Sequence, residues 1–112
     1  MSKPKSLGEF EILVLAALLR LAEDAYGAKV RTEIESRANR AVSVGALYAT
    51  LGRLEDKGLV QSYTGGATSA RGGRAKRYYT LTPLGQEKLN VAVSGLNAML
   101  KGVTTWTEIP TR

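Results

Sequence analysis

The hydrophobic positions of the chain change period twice, and those changes outline the elements. From Leu7 onward, Phe10, Leu13, Val14, Ala17, Leu18 and Leu21 recur at spacings of three and four, the signature of an amphipathic helix. This helix is apolar over more than half its circumference, so it is expected at the centre of the core. The run "EDAYG" (23–27) breaks it. A second helix is expected over roughly 26–38, with Tyr26, Val30 and Ile34 inward and Lys29, Arg31, Glu33 and Glu35 outward. "NRAV" (39–42) reads as a turn, and Ser43 as the N-cap of a third helix with Leu47, Leu51 and Leu54 as its buried seam. Gly58 is placed to stop that helix. The period then shortens. "LVQSYT" (59–64) and "KRYYTLT" (76–82) are β-branched and aromatic, and the glycine-rich stretch between them makes the pair a β-hairpin with a long tip. Thr82-Pro83 opens a last helix, with Thr82 as N-cap and Pro83 in the first turn.

The expected fold is mainly α with a β-hairpin wing: a winged helix-turn-helix followed by a further helix. The divisions expected are a loose basic arm (1–6), the winged-helix domain (7–82), a C-terminal dimerisation helix (83–106) and a tail (107–112).

Composition narrows the chemistry. The 112 residues include no cysteine and no histidine, which removes disulfides, thiol chemistry and the commonest general base and metal ligand. No catalytic motif is visible, so neither catalysis nor a cofactor is expected. The apolar run around residues 12–19 is far too short to cross a bilayer, and a cytoplasmic, non-membrane protein is expected. The net charge of +6 is unevenly placed: residues 1–58 hold nine cations and eight anions, whereas 59–112 hold seven and two. Four of those seven cations lie within residues 71–77, on the glycine-rich hairpin. A local basic cluster on a basic domain is the footprint of a polyanion binder.

In a winged helix-turn-helix the third helix enters the major groove, while the hairpin follows the phosphate backbone or a neighbouring minor groove. With its leucines buried, the third helix turns Gly45, Ala49, Gly52, Arg53 and Asp56 outward, with Ser43 and Val44 at its start. The small residues let this helix lie close to base edges, although Gly52 costs helix stability. Val44 suits a thymine methyl, and Arg53, two turns in, suits phosphate. Two readings stand for Tyr48: a phosphate donor, or a cap on the edge of the core. On the wing, Arg71, Arg74, Lys76 and Arg77 are expected on phosphate. Strand alternation turns Tyr79 inward with Leu81, and Tyr78 outward with Lys76 toward DNA or a ligand.

The blocks "GEFEILVLAALL", "AYGAKV", "VSVGALYATLGRLEDKGLV" and "GGRAKRYYTLTPLGQEKL", in that order over roughly residues 8–90, resemble the PadR family of bacterial transcriptional regulators. The loop "LAEDAYG" is longer and more acidic than the family's usual one, and the short C-terminal part is similar to the family's smaller members. The resemblance implies a winged-helix dimer that represses transcription from double-stranded DNA, often relieved by a small molecule, here a small aromatic effector.

On the last helix, Leu89, Val93, Leu96, Leu100 and Val103 are spaced four, three, four and three, a coiled-coil seam over two heptads. Palindromic DNA readers need a twofold partner, so the seam is read as a homodimer interface; folding back on the first helix is the other reading. Trp106, with Met99 beside the seam, either lines an effector pocket at that interface or packs there. A winged-helix module that binds a protein partner instead of DNA is the alternative function.

Overall fold

The computed structural model describes residues 6–65 and 76–103. Its elements run α1 (Glu9–Leu21), a single 3₁₀ turn (Ala22–Asp24), α2 (Gly27–Ala38), α3 (Val44–Asp56), β1 (Val60–Gly65), β2 (Lys76–Leu81) and α4 (Pro83–Leu100). The order is that expected: three helices, a hairpin, a helix.

Local chemistry sets most boundaries. Glu11 turns back to accept the Gly8 N–H at 2.9 Å, satisfying one of the free donors at the start of α1. Ser43 Oγ accepts the Ala46 N–H at 3.0 Å and starts α3. At the other end of α3, Gly58 takes φ +78°. That left-handed residue lets the Gly58 N–H reach Glu55 O and the Leu59 N–H reach Leu54 O, closing the helix with its last carbonyls paired. Thr82 then joins two elements: its Oγ accepts the Gly85 N–H at 3.0 Å, capping α4, and donates to Gly58 O at 2.7 Å.

Helix α1 is the centre of the core and touches α2, α3, α4 and β2. Its buried arc is wider than the spacing of three and four suggests. Leu15 is fully buried beside Val14, Ala17 and Leu18, whereas Phe10, Leu13 and Leu21 are only partly covered. A helix with partners on several sides does not need a narrow stripe.

Packing between distant parts of the chain adds to two expectations and corrects a third. The break between α1 and α2 also meets the hairpin through a single isolated bridge: Tyr79 N–H donates to Ala25 O at 2.9 Å and Tyr26 bridges Tyr78, so β2 lies between that segment and β1. Arg31 and Glu35 do not simply face solvent. Arg31 Nε donates to Val42 O at 2.7 Å and Glu35 accepts the Val42 N–H at 2.9 Å, clamping the turn before α3 onto α2. Leu89 belongs to the core of its own chain, only 5% exposed, and so does not lie on an open seam. The first turns of α4 thus belong to the same core as the winged helix. Gly85 allows this closeness, because a Cβ there would collide with the Leu59 carbonyl oxygen. The helix also ends at Leu100 rather than 106; Lys101 is extended and Gly102 takes φ +83°. Val103 therefore lies past the helix.

Candidate nucleic-acid interface

The outer face of α3 is slim and open. Val44 is 50% exposed at its start, and Gly45, Ala49 and Gly52 follow on the side away from the leucine seam. A Cβ built on Gly45 or Gly52 would meet nothing within 4 Å. The chain's own packing therefore does not require glycine at either position, yet a glycine inside a helix costs about 1 kcal/mol relative to alanine. What the small residues provide is room outside the molecule.

Tyr48 flanks this face at 45% exposure. Its phenol ring lies against Gly27 so closely that any side chain at 27 would overlap it. The hydroxyl end of the ring thus packs on the start of α2, the core-edge reading. Gly27 was not singled out in the sequence, because only the fold reveals what lies over it. Arg53 donates to Thr50 Oγ1 at 3.1 Å on the α1 side of the helix. Nearby, Lys57 pairs with Glu11 at 3.0 Å and ties α3 to α1. Burial alone raises the Glu11 pKa, but the Gly8 N–H, the Lys57 ammonium and the Arg53 charge outweigh it and hold the carboxyl below its ordinary value.

The base of the wing is stiffened by aromatic contacts. Tyr79 is buried, and that burial pushes its phenol pKa up. Tyr78 does share a face with Lys76, but it does not stand free. It stacks on Tyr63, with centroids 5.6 Å apart, and meets Tyr26 edge-on at 5.6 Å. Lys76 Nζ lies 4.4 Å from the centre of the Tyr26 ring. Arg77 points to the other face and donates to Ser62 Oγ at 2.9 Å, and Ser62 donates to Glu55 at 2.7 Å. Arg71, Arg74 and Trp106 lie outside the described residues.

Charge pairing divides the surface. Arg20, Lys29, Arg31, Arg37, Arg40 and Lys57 each pair with a carboxylate within 4.0 Å. Among the described residues, Arg53, Lys76, Arg77, Lys88 and Lys101 make no such pair. The cations of α1, α2 and the turn are largely neutralised, while Arg53 of α3, Lys76 and Arg77 of the wing and the two lysines of α4 are not. No cluster of three or more possible metal-ligating residues occurs among the described residues, and no described helix is long and apolar enough to cross a membrane.

On α4, the seam residues Val93, Leu96 and Leu100 are exposed, and Met99 is 76% exposed. Only Leu89 and Val103 of the expected seam fall elsewhere.

This arrangement, three helices followed by a two-stranded hairpin and a fourth helix, is that of a winged helix-turn-helix. Residues 14–91 match the transcriptional regulator PadR-like family, and the chain belongs to that family, one of transcription regulators rather than enzymes. An uncharacterised protein of Lysinibacillus sphaericus is 33% identical over 88 residues, covering 77% of this chain and 76% of that one. The crystal structure of a PadR family transcription regulator from Clostridium difficile superposes with a TM-score of 0.75 at 25% identity, covering 89% of this chain and 99% of that one. Bacillus subtilis PadR, in complex with operator DNA, shares the fold with a TM-score of 0.63 at 23% identity over 75% of this chain and 46% of that one.

Proposed function

We propose that the chain is a homodimeric, cytoplasmic transcriptional repressor that binds an inverted-repeat operator in double-stranded DNA and is released by a small aromatic effector. The observation that carries the DNA reading is the open Gly45–Ala49–Gly52 face of α3, with Arg53 beside it and Asp56 at its far end. In this reading Ser43, Val44, Gly45 and Ala49 approach base edges. Tyr48 and Arg53 meet phosphate on either flank, and Lys76, Arg77, Arg71 and Arg74 hold the backbone through the wing. Val93, Leu96 and Leu100 join two copies, and the effector lies near Met99 and Trp106. The operator complex of Bacillus subtilis PadR supports the same use of this fold.

The test is selection of bound fragments from a random duplex library, followed by footprinting. The expected result is an inverted repeat with half-site centres one helical turn apart, about 34–36 Å. An asymmetric footprint shorter than one turn, or retention insensitive to salt, overturns the proposal.

A further inference from the structure

Glu55 stands in the last turn of α3, followed by Asp56, where the helix dipole is negative and a cation is the favourable neighbour. An acid is equally out of place on a chain that grips phosphate. Among the described residues Glu55 pairs with no cation within 4.0 Å. Its carboxylate reaches the hairpin instead. Ser62 Oγ donates to Glu55 Oε2 at 2.7 Å, and Arg77 Nη2 donates to the same Ser62 oxygen at 2.9 Å. The hydroxyl proton faces the carboxylate and the oxygen's lone pairs face the guanidinium. The bonds therefore form a chain from Arg77 through Ser62 to Glu55 with every donor pointed one way.

In the hairpin, Ser62 stands opposite Tyr79 and Thr64 opposite Arg77. Strand alternation puts these four on the face that Tyr79 turns to the core, while Tyr63, Tyr78 and Lys76 take the other. The Arg77 guanidinium also lies by the Tyr79 phenol, whose pKa burial raises and the Arg77 charge lowers. Arg77 has five N–H donors, and Ser62 takes one of them. A long side chain loses much rotamer freedom when a ligand immobilises it, and one held beforehand loses less. A carboxylate one hydroxyl away orients the cation without capturing it in a direct ion pair, so its other donors stay available. We propose that Glu55 is a positioning residue for DNA binding: through Ser62 it holds the Arg77 guanidinium in the place from which the wing meets a phosphate. This rests on the DNA reading of the wing and adds the acid that serves it.

The sign of one substitution tests this. Removing a negative charge by itself strengthens the hold on a polyanion. The full chain and its variants Glu55→Ala, Glu55→Gln, Ser62→Ala, Arg77→Ala and the Glu55→Ala/Arg77→Ala pair are titrated with the duplex selected from the random library and with scrambled duplex. Several salt concentrations are used, and circular dichroism and thermal melting confirm that each variant is folded. The expected result is that Glu55→Ala weakens both duplexes by about three- to tenfold, against its charge, and flattens log K against log salt in the same direction as Arg77→Ala. Glu55→Gln keeps an acceptor for the Ser62 hydroxyl and is expected to lie nearer the wild type. The double variant is expected to lose no more than Arg77→Ala alone. Tighter or unchanged binding by folded Glu55→Ala overturns the proposal: the first outcome makes Glu55 a competitor of phosphate, the second a brace of the fold only. Losses of Glu55→Ala and Arg77→Ala that add in full also overturn it. Should Glu55→Ala fail to fold, Ser62→Ala breaks the same chain without removing a charge and carries the same expectation and the same refutation. All of these outcomes leave the DNA reading intact, whereas a wild type that binds neither duplex removes both.

Discussion

Among the described residues, helices α3 and α4 each leave a face uncovered, yet the two faces differ in every other respect. On α3 the open face is made of glycine and alanine, with Arg53 and Asp56 beside it. On α4 it is made of Val91, Val93, Leu96, Met99 and Leu100, with no charge from 89 to 100. Smallness beside cations suits a rigid, wet, anionic partner that must come close. Bulk without charge suits a partner that excludes water. The contrast shows that exposure alone says little; the chemistry bordering the gap identifies what fills it.

The strongest test of this division is Leu96→Glu. A charge in the middle of the apolar face is expected to raise the dimer dissociation constant by about 100-fold or more, and operator binding falls with it. Sedimentation or light scattering across a dilution series measures the first, and fluorescence anisotropy the second. Gly27→Val acts on the other region. It displaces the Tyr48 ring, so operator binding is expected to drop about tenfold while the dimer mass holds. If the mass drops as well, the two regions are not separable. Val44→Ala is expected to cost about 1–3 kcal/mol on the operator and little on scrambled duplex. Equal losses on both contradict a base contact. Lys76→Ala is expected to weaken both duplexes alike and to flatten log K against log salt by about 0.9 per phosphate, doubled in a dimer. Arg77→Ala is expected to do less, because part of its donor capacity already goes to Ser62.

The smallest effect concerns pH. Glu11 is held below its ordinary pKa of 4.5 in the folded chain, so its tie to Lys57 stabilises the fold above that value. That contribution is lost as pH falls through the lower folded value. Glu11→Gln is therefore expected to flatten the acid limb of a melting-temperature profile and to leave the profile near neutrality slightly lowered. An unchanged acid limb contradicts the assignment.

What the sequence made legible follows from the range of each interaction. Ser43, Gly58, Thr82 and Pro83 act on residues within one turn, so their roles were readable in a short window and the element order followed. Tyr79 obeyed a period of two and was placed inward correctly. The Ala25–Tyr79 pairing, the Arg31 and Glu35 clamp on Val42 and the burial of Leu89 join residues 54, 11, 7 and many more positions apart. No local pattern records such partners. Leu89 shows the difficulty well: its spacing from Val93 and Leu96 is that of a seam, and only the position of α1 and β2 decides that its own chain covers it. The open space at Gly45 and Gly52 was likewise inferable as small residues, but only the fold shows that nothing inside demanded them.

The junction at Thr82 couples the two regions mechanically. Thr82 donates through Oγ to Gly58 O and through its N–H to Leu59 O, and Gly85 lies against that same Leu59 carbonyl. The end of α3 and the beginning of α4 are thus hinged at one backbone corner with no slack. Helix α4 spans 18 residues, or about 27 Å, so it works as a lever arm. A tilt of about 10° at its far end corresponds to about 5 Å of travel, a large fraction of the rise of one and a half base pairs along a duplex. Any change in how two copies cross therefore alters the distance between their reading heads without unfolding either one.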